Sequence, residues 1–332
     1  MRRRVLARVV AALAGVALVV LTWFALQFFP PGGSGKMVMF TVHPGDTMAV
    51  IASEMHQAGV LASPFAFRVD SFLEGAPLVL PGVYELAQGA DYPNIRSVLG
   101  GGPNVPQVNV TPGLTLKEIA LDLARHVGNT FASSFLSAAT NAAATSPYHA
   151  HGSLDGLVGP GLYLIAPGET PAQLLAAMQA SFSREAAAAG LSPNTSVEGL
   201  DAYQVVTAAS IVEKEGYFAF NMPQTARVIY NRLHQNMPLQ MDSTVLYALG
   251  LDGGTVTRAM LATPTPYNTY RHRGLTPTPI GVVSPQALAA ALNPPPGPWL
   301  YFVLVSKDGH MAFSTTFAQQ LKNEAAAAKA GL

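Results

Sequence analysis

The chain has 332 residues, of which 11 % are charged, with 19 basic and 19 acidic side chains and no cysteine. The balance is uneven. Arg2, Arg3, Arg4 and Arg8 fall in residues 1–35 with no acid beside them, which leaves 15 basic against 19 acidic side chains over residues 36–332. No basic stripe for duplex nucleic acid is visible, and disulfides, a cysteine nucleophile and a thiolate metal site are excluded.

From Val5 to Phe29 the only charge is Arg8. About 20 apolar residues in a helix cross a hydrocarbon core. The Arg cluster ahead of the run marks a cytoplasmic flank, and Trp23 suits an interfacial belt. The run exceeds the about 7–15 residues of a signal-peptide core, and Phe28-Phe29-Pro30-Pro31 follows it in place of a small-residue cleavage site. An uncleaved single-pass anchor is therefore expected, with residues 36–332 outside the cytoplasm.

Residues 30–35, Pro-Pro-Gly-Gly-Ser-Gly, read as a linker. Met37–Val42 reads as a strand. His43-Pro44-Gly45-Asp46-Thr47 turns into a helix that Asp46 or Thr47 can cap, with Met48, Ile51, Ala52 and Met55 on one face. Residues 81–86 read as a short strand and 94–99 as a short helix ended by three glycines. A second block starts near Val105. It opens with an alternating strand, 107–110, then a helix from Thr115, where Thr115 and Glu118 fit a capping box. Residues 161–165 read as a strand, and Thr170-Pro171 opens a helix to about Ala188. The alanine tracts 186–189 and 325–328 read as solvated helix ends.

Residues 201–216, DAYQVVTAASIVEKEG, carry the most information. Asp201 fits an N-cap and Gly216 a helix stop. Glu213 and Glu215, two apart, lie on different helix faces. Glu215 stands over Val212, Ile211 and Ala208, and in the last turn, where the helix dipole is negative. Both features disfavour an ionised carboxylate, the condition a general acid needs near neutral pH. An ordinary surface Glu-Lys-Glu helix end fits the same stretch equally well.

Downstream, Asn221-Met222-Pro223 opens another helix that contains Asn231-Arg232-Leu233. Tyr-, Asn- and Gln-rich loops follow, of the kind sugar sites use for hydroxyl groups and pyranose faces. Ser284-Pro285 caps a helix, and residues 300–305 read as the last strand. No His-x-x-x-His spacing or phosphate loop occurs, so neither a metal nor a cofactor is expected.

Four motifs in order, Glu213-Lys214-Glu215 after Ala-Ser-Ile-Val, Asn231-Arg232-Leu233, Tyr267-Asn268-Thr269-Tyr270 and a Gly274-Leu275-x-Pro-x-Pro-Ile280 loop, lie behind the expected anchor. This set resembles the endolytic murein transglycosylases, the YceG-like family. The resemblance covers most of the chain, and the unit opening at His43 looks like the LysM-like domain those proteins carry. It implies an α+β fold in three parts: anchor and linker (1–35), LysM-like domain (36–103) and mixed α+β catalytic domain (104–332). It implies a lytic cut of the MurNAc-GlcNAc β-1,4 bond within nascent glycan strands, leaving 1,6-anhydroMurNAc ends and stopping strand elongation.

The family's catalytic acid is the second Glu of the triplet, here Glu215. Gln240, Asp242, Tyr267, Asn268 and Tyr270 are the candidate substrate contacts, while Asp242 fits a helix N-cap as well. Expected partners are glycan strands, the cell membrane and peptidoglycan synthases, with the catalytic domain on the periplasmic face of an inner membrane. The chain departs from the family pattern at Gly159-Pro160-Gly161-Leu162-Tyr163, Met241, Ser243, Thr278 and Gln320-Leu321, all outside the acid itself. Two rival readings remain: a non-catalytic peptidoglycan-binding scaffold, and a two-carboxylate hydrolase with Glu213 or Asp242 as second acid.

Overall fold

A computed structural model describes residues 2–28, 35–149 and 151–331. The chain divides into two compact units, Met1–Pro106 and Gln107–Leu332. The first contains α1 (Arg2–Phe28), β1 (Met37–Val42), α2 (Met48–Gln57), α3 (Pro64–Glu74), β2 (Gly82–Ala87) and α4 (Tyr92–Gly101). β1 and β2 pair antiparallel, Met37 opposite Ala87 and Val42 opposite Gly82. Thr47 caps α2 by accepting the Val50 amide. Phe40, Ile51, Met55, Phe67, Tyr84 and Ile95 close the core of this small α+β unit.

The helix α3 was not expected. Its sequence, PFAFRVDSFLE, is apolar on several faces, and Phe72 and Leu73 are exposed, so no single stripe marks it. Among the described residues no helix is long and apolar enough to cross a membrane. The expected anchor, Val5–Phe29, lies partly outside the described residues.

The second unit holds β3 (Gln107–Val110), α5 (Leu116–His126), α6 (Asn129–Thr140), β4 (Gly161–Leu164), α7 (Pro171–Ala189), β5 (Ser196–Val197), β6 (Leu200–Asp201), α8 (Ala202–Gly216) and α9 (Met222–His234). It continues through α10 (Asp242–Leu249), α11 (Arg258–Leu261), α12 (Pro285–Leu292), β7 (Tyr301–Leu304), β8 (Met311–Ser314) and α13 (Phe317–Lys329). The strands form antiparallel pairs, β3 with β4, β5 with β6 and β7 with β8. A mixed α+β architecture is what the sequence led us to expect. The alanine tracts are a correction: Ala186 and Ala327 are buried, so each tract is solvated on one side only.

The organising element is α8. The capping box at its start is complete, with Asp201 accepting the Gln204 amide and the Gln204 side chain accepting the Asp201 amide. Val205, Val206 and Ala209 belong to one hydrophobic cluster, Ala208, Ile211 and Val212 to another. A helix that is apolar all round sits in the middle of a core, and α8 packs against α9, α10 and α12. An apolar face under Glu215 therefore does not set it apart from Glu213. Both faces are buried, and what separates the two acids is what covers their ends.

Candidate active site

Gly216 is the last residue of α8, and the helix stops on Tyr217, at φ 52° and ψ −52°. The Phe218 amide donates to the Gly216 carbonyl, which closes a γ-turn of the rare, strained hand on a non-glycine residue. This breaks the helix abruptly just past Glu215.

Glu213 reaches α12, where its Oε2 accepts the Ser284 amide at 2.9 Å. Ser284 in turn caps α12 through its hydroxyl and the Ala287 amide. The Glu213 carboxylate is thus tied to a helix start. Lys214 turns outward to Asp252, at 3.4 Å.

Glu215 points to the start of α10. Its Oε1 accepts the Ser243 hydroxyl at 2.6 Å and the Ser243 amide at 3.2 Å. Among the described residues no hydrogen bond reaches Oε2. The residue keeps some solvent exposure, but its carboxyl is closely surrounded. Burial pushes its pKa above the ordinary glutamate value; the two Ser243 bonds pull it back, Asp242 pushes it up and Arg232 pulls it down. The dipole at the end of α8 is partly opposed, because the Ser243 amide belongs to the first turn of α10, whose dipole favours an anion. Desolvation is the largest of these effects and favours the protonated form of Glu215.

The candidate contacts divide into two groups. Asp242 and Tyr270 stand at Glu215: the Tyr270 hydroxyl donates to Asp242 Oδ1 at 2.6 Å. Both carboxylates, together with burial, raise the Tyr270 pKa. Asp242 is the first residue of α10 and Met241 its N-cap, so Asp242 is not the cap the sequence allowed. Gln240 is exposed, with a backbone at φ 52°, and its amide donates to Thr269 O.

Asn268 and Tyr267 stand apart from the acid. Asn268 is fully buried, donates to the Leu261 and Thr263 carbonyls at 2.9 Å each and accepts the Tyr270 amide. With both Nδ2 protons bonded and the side chain fully buried, it stands as a structural tie and not at a sugar-facing surface, unlike the expectation for it. Tyr267 bonds Thr278 through its hydroxyl and packs on Tyr247 at 5.1 Å. Both tyrosines line a separate cavity of about 910 Å³ beside α5 and α6. Asp155 in that cavity is occupied by the Leu116 amide and the Ser153 and Tyr247 hydroxyls. That cavity is not lined by Glu215, and the buried acid is the stronger marker of chemistry.

Two motif residues brace the site from behind. Asn231 donates to the Gly297 and Trp299 carbonyls. Arg232 is buried, donates to the Leu239 and Leu300 carbonyls and lies 5.2 Å from the Tyr301 ring. With no carboxylate bonded to it, its desolvated guanidinium is pushed to a lower pKa. Together they pin β7 and the segment before α10, and so the position of Ser243.

Ser243 is the residue sequence reasoning missed. The Asp242-Ser243-Thr244 run ahead of Val245-Leu246 signalled a helix start, but nothing local said that its hydroxyl faces Glu215. Away from this site, His43, Asp46 and Glu54 bring possible metal-ligand atoms within 4.8 Å of one another. Asp46 there accepts the His43 amide and closes the turn before α2.

Glu215 is thus a desolvated carboxylic acid at the end of a buried helix, anchored to Ser243 through Oε1. The YceG-like family model matches residues 40–326, and the chain belongs to that family. It is 28 % identical over 308 residues to a Bacillus subtilis (strain 168) protein named endolytic murein transglycosylase, covering 87 % of this chain and 84 % of the other. A Streptococcus pneumoniae (strain D39) protein of the same name is 26 % identical over 327 residues; 88 % of this chain is covered but only 58 % of that protein. Among solved structures, a yceG-like protein of Listeria monocytogenes superposes with a TM-score of 0.57 at 24 % identity, over 87 % of this chain and 99 % of that one. That likeness establishes the fold.

Proposed function

We propose that the chain is an endolytic murein transglycosylase in which Glu215 is the only acid–base catalyst. The observation that carries this reading is the state of Glu215: desolvated, pushed toward the protonated form, and held by Ser243 through Oε1 alone. The proton on Oε2 passes to the glycosidic oxygen as the C1–O bond of N-acetylmuramic acid breaks. The sugar's own C6 hydroxyl oxygen then bonds C1 and gives its proton to the Glu215 carboxylate. A 1,6-anhydro ring closes, no water enters, and Glu215 ends protonated as it began.

Because the nucleophile is part of the substrate, proximity supplies the advantage that a second carboxylate gives a hydrolase. Tyr270 and Asp242 flank the acid as candidate hydroxyl-binding groups, with Gln240 at the edge. The relatives' names and the family match support murein as substrate. The apolar run from Val5, behind its Arg cluster, supports a single-pass inner-membrane anchor with the rest in the periplasm. The unit from His43 supports a LysM-like glycan-holding or spacing role. A peptidoglycan synthase fits as a partner acting on the same strands.

The test is digestion of purified peptidoglycan by the full chain in detergent micelles. Anhydro-ended internal fragments are expected, and Glu215→Gln should release them roughly 10³-fold more slowly. Reducing ends would point to a two-carboxylate hydrolase, and no release by the wild type to a scaffold.

A further inference from the structure

Residues 217–220 leave α8 directly after the acid, and three of the four are aromatic. All three are exposed: Tyr217 at 71 %, Phe218 at 48 % and Phe220 at 49 %. Exposed rings in succession on a loop normally fold inward. Here they are held outward. The γ-turn at Tyr217 sets the direction of the loop. Buried Asn221 then fixes it to the β7–β8 hairpin, donating to Gly309 O at 2.8 Å and Gly216 O at 3.2 Å and accepting the Met311 amide.

Phe218 lies flat on Gly309, where any side chain would collide with its ring. Phe218 and Phe220 stack with centroids 5.4 Å apart and planes 4° from parallel. Phe220 continues onto the exposed ring of His310 at 4.5 Å. The result is a braced row of three rings, ordered without a partner. Tyr217 joins this row to the acid along the chain, and its pKa is raised by burial first and then by the charges of Glu215 and Asp242.

A rigid, exposed aromatic row next to a catalytic acid suits a ligand with an apolar face and a polar rim. The charged groups near it include Asp308 as well as His310, and the adjoining Tyr217 feels the charges of Glu215 and Asp242, so a phosphate-rich or anionic lipid surface is disfavoured. A pyranose presents a ring of C–H groups on one face and hydroxyls at its edge, and aromatic planes take the face. We propose that Phe218, Phe220 and His310 form a stacking subsite for a sugar of the glycan strand, beyond the cleaved bond on the side of the β7–β8 hairpin, with Tyr217 linking it to Glu215. This deepens the murein reading and rests on it. An endolytic cut needs hold on both sides of the bond, and this row supplies one.

The test uses the full-length Glu215→Gln protein in detergent micelles, titrated with soluble glycan strands stripped of peptide. Adding Phe220→Ala is expected to raise Kd about tenfold, and Phe220→Trp to restore it. His310→Ala should give a smaller rise. In the chain that keeps Glu215, Phe220→Ala should raise KM by a similar factor with kcat nearly unchanged. An unaltered Kd and KM in Phe220→Ala with an unaltered Tm would overturn the proposal, as would a tryptophan variant as weak as the alanine one. Wild-type-like lytic activity of Glu215→Gln would instead sink the role given to Glu215, and the KM comparison of Phe220→Ala in the chain that keeps Glu215 still reads the subsite by itself.

Discussion

Ser243 holds one oxygen of Glu215 with both its hydroxyl, at 2.6 Å, and its amide, at 3.2 Å, across 28 residues of chain. Both bonds favour the carboxylate while burial opposes it. The pair therefore sets the orientation of the acid and limits how far its pKa rises. Ser243→Ala removes the hydroxyl and keeps the amide. The hydroxyl favours the charged form, so its loss should raise the pKa of Glu215 further. The basic limb of the kcat/KM profile should move to higher pH. The less well-oriented acid should also lower kcat by about tenfold. A profile unchanged in position would show that Ser243 does not govern the proton.

Replacing the acid itself separates chemistry from stability. Glu215→Gln should lower turnover by roughly 10³-fold, within the range that acid–base groups contribute. Its effect on stability has the opposite sign. The folded pKa lies above the unfolded one, so the native state binds the extra proton between the two values. Wild-type stability from this group is complete below the ordinary glutamate value of 4.5, and is lost as pH rises through the raised folded value. Glutamine has no proton to lose. Thermal unfolding should show Glu215→Gln more stable than wild type above that window, with the gap closing on acidification. A gap that widens toward low pH would contradict the raised pKa.

Much of this arrangement was legible before the structure because its signals are local. Caps at Thr47, Thr115, Thr170, Asp201 and Ser284 all sit where side-chain chemistry placed them. The helix bearing Glu215 was visible from cap to end. Signals that depend on distant chain were not. Ser243 meets Glu215 only because Arg232 and Thr269 fix the segment before α10, through Leu239 O and the Met241 amide. Asn268 looked like a sugar ligand because exposed and buried amides read alike in sequence. The aromatic run after Gly216 carries no signal of its own, since only its bracing by Asn221 and Gly309 distinguishes a platform from a loop.

The two acids of the triplet should separate by experiment. Glu213 Oε2 accepts the Ser284 amide at the start of α12. Glu213→Ala leaves that donor without its partner in a half-buried place, which costs about 1–3 kcal/mol. The midpoint of urea unfolding should fall accordingly, while kcat at saturating substrate stays within about threefold of wild type, a limit set by treating the loss as remote from the transition state. A collapse of kcat with stability intact would make Glu213 a second catalytic carboxylate and revive the hydrolase reading.

Asn268 provides the complementary case, a residue that resembles a ligand and acts as a peg. Its Nδ2 donates to Leu261 O and Thr263 O, and its Oδ1 accepts the Tyr270 amide, so one buried side chain ties α11 to the segment carrying Tyr270. Asn268→Ala removes the side-chain donor from the Leu261 and Thr263 carbonyls and the acceptor from the Tyr270 amide, and opens a small void. The expected loss is about 2–4 kcal/mol, read as a lowered Tm. An aspartate at this position would keep the acceptor for the Tyr270 amide but present a buried charge to two carbonyls, so Asn268→Asp should be no better than alanine. Among molecules still folded, KM for glycan strands should stay near wild type, because this fully buried side chain does not stand at a sugar-facing surface. A raised KM at an unchanged Tm would return Asn268 to the substrate contacts.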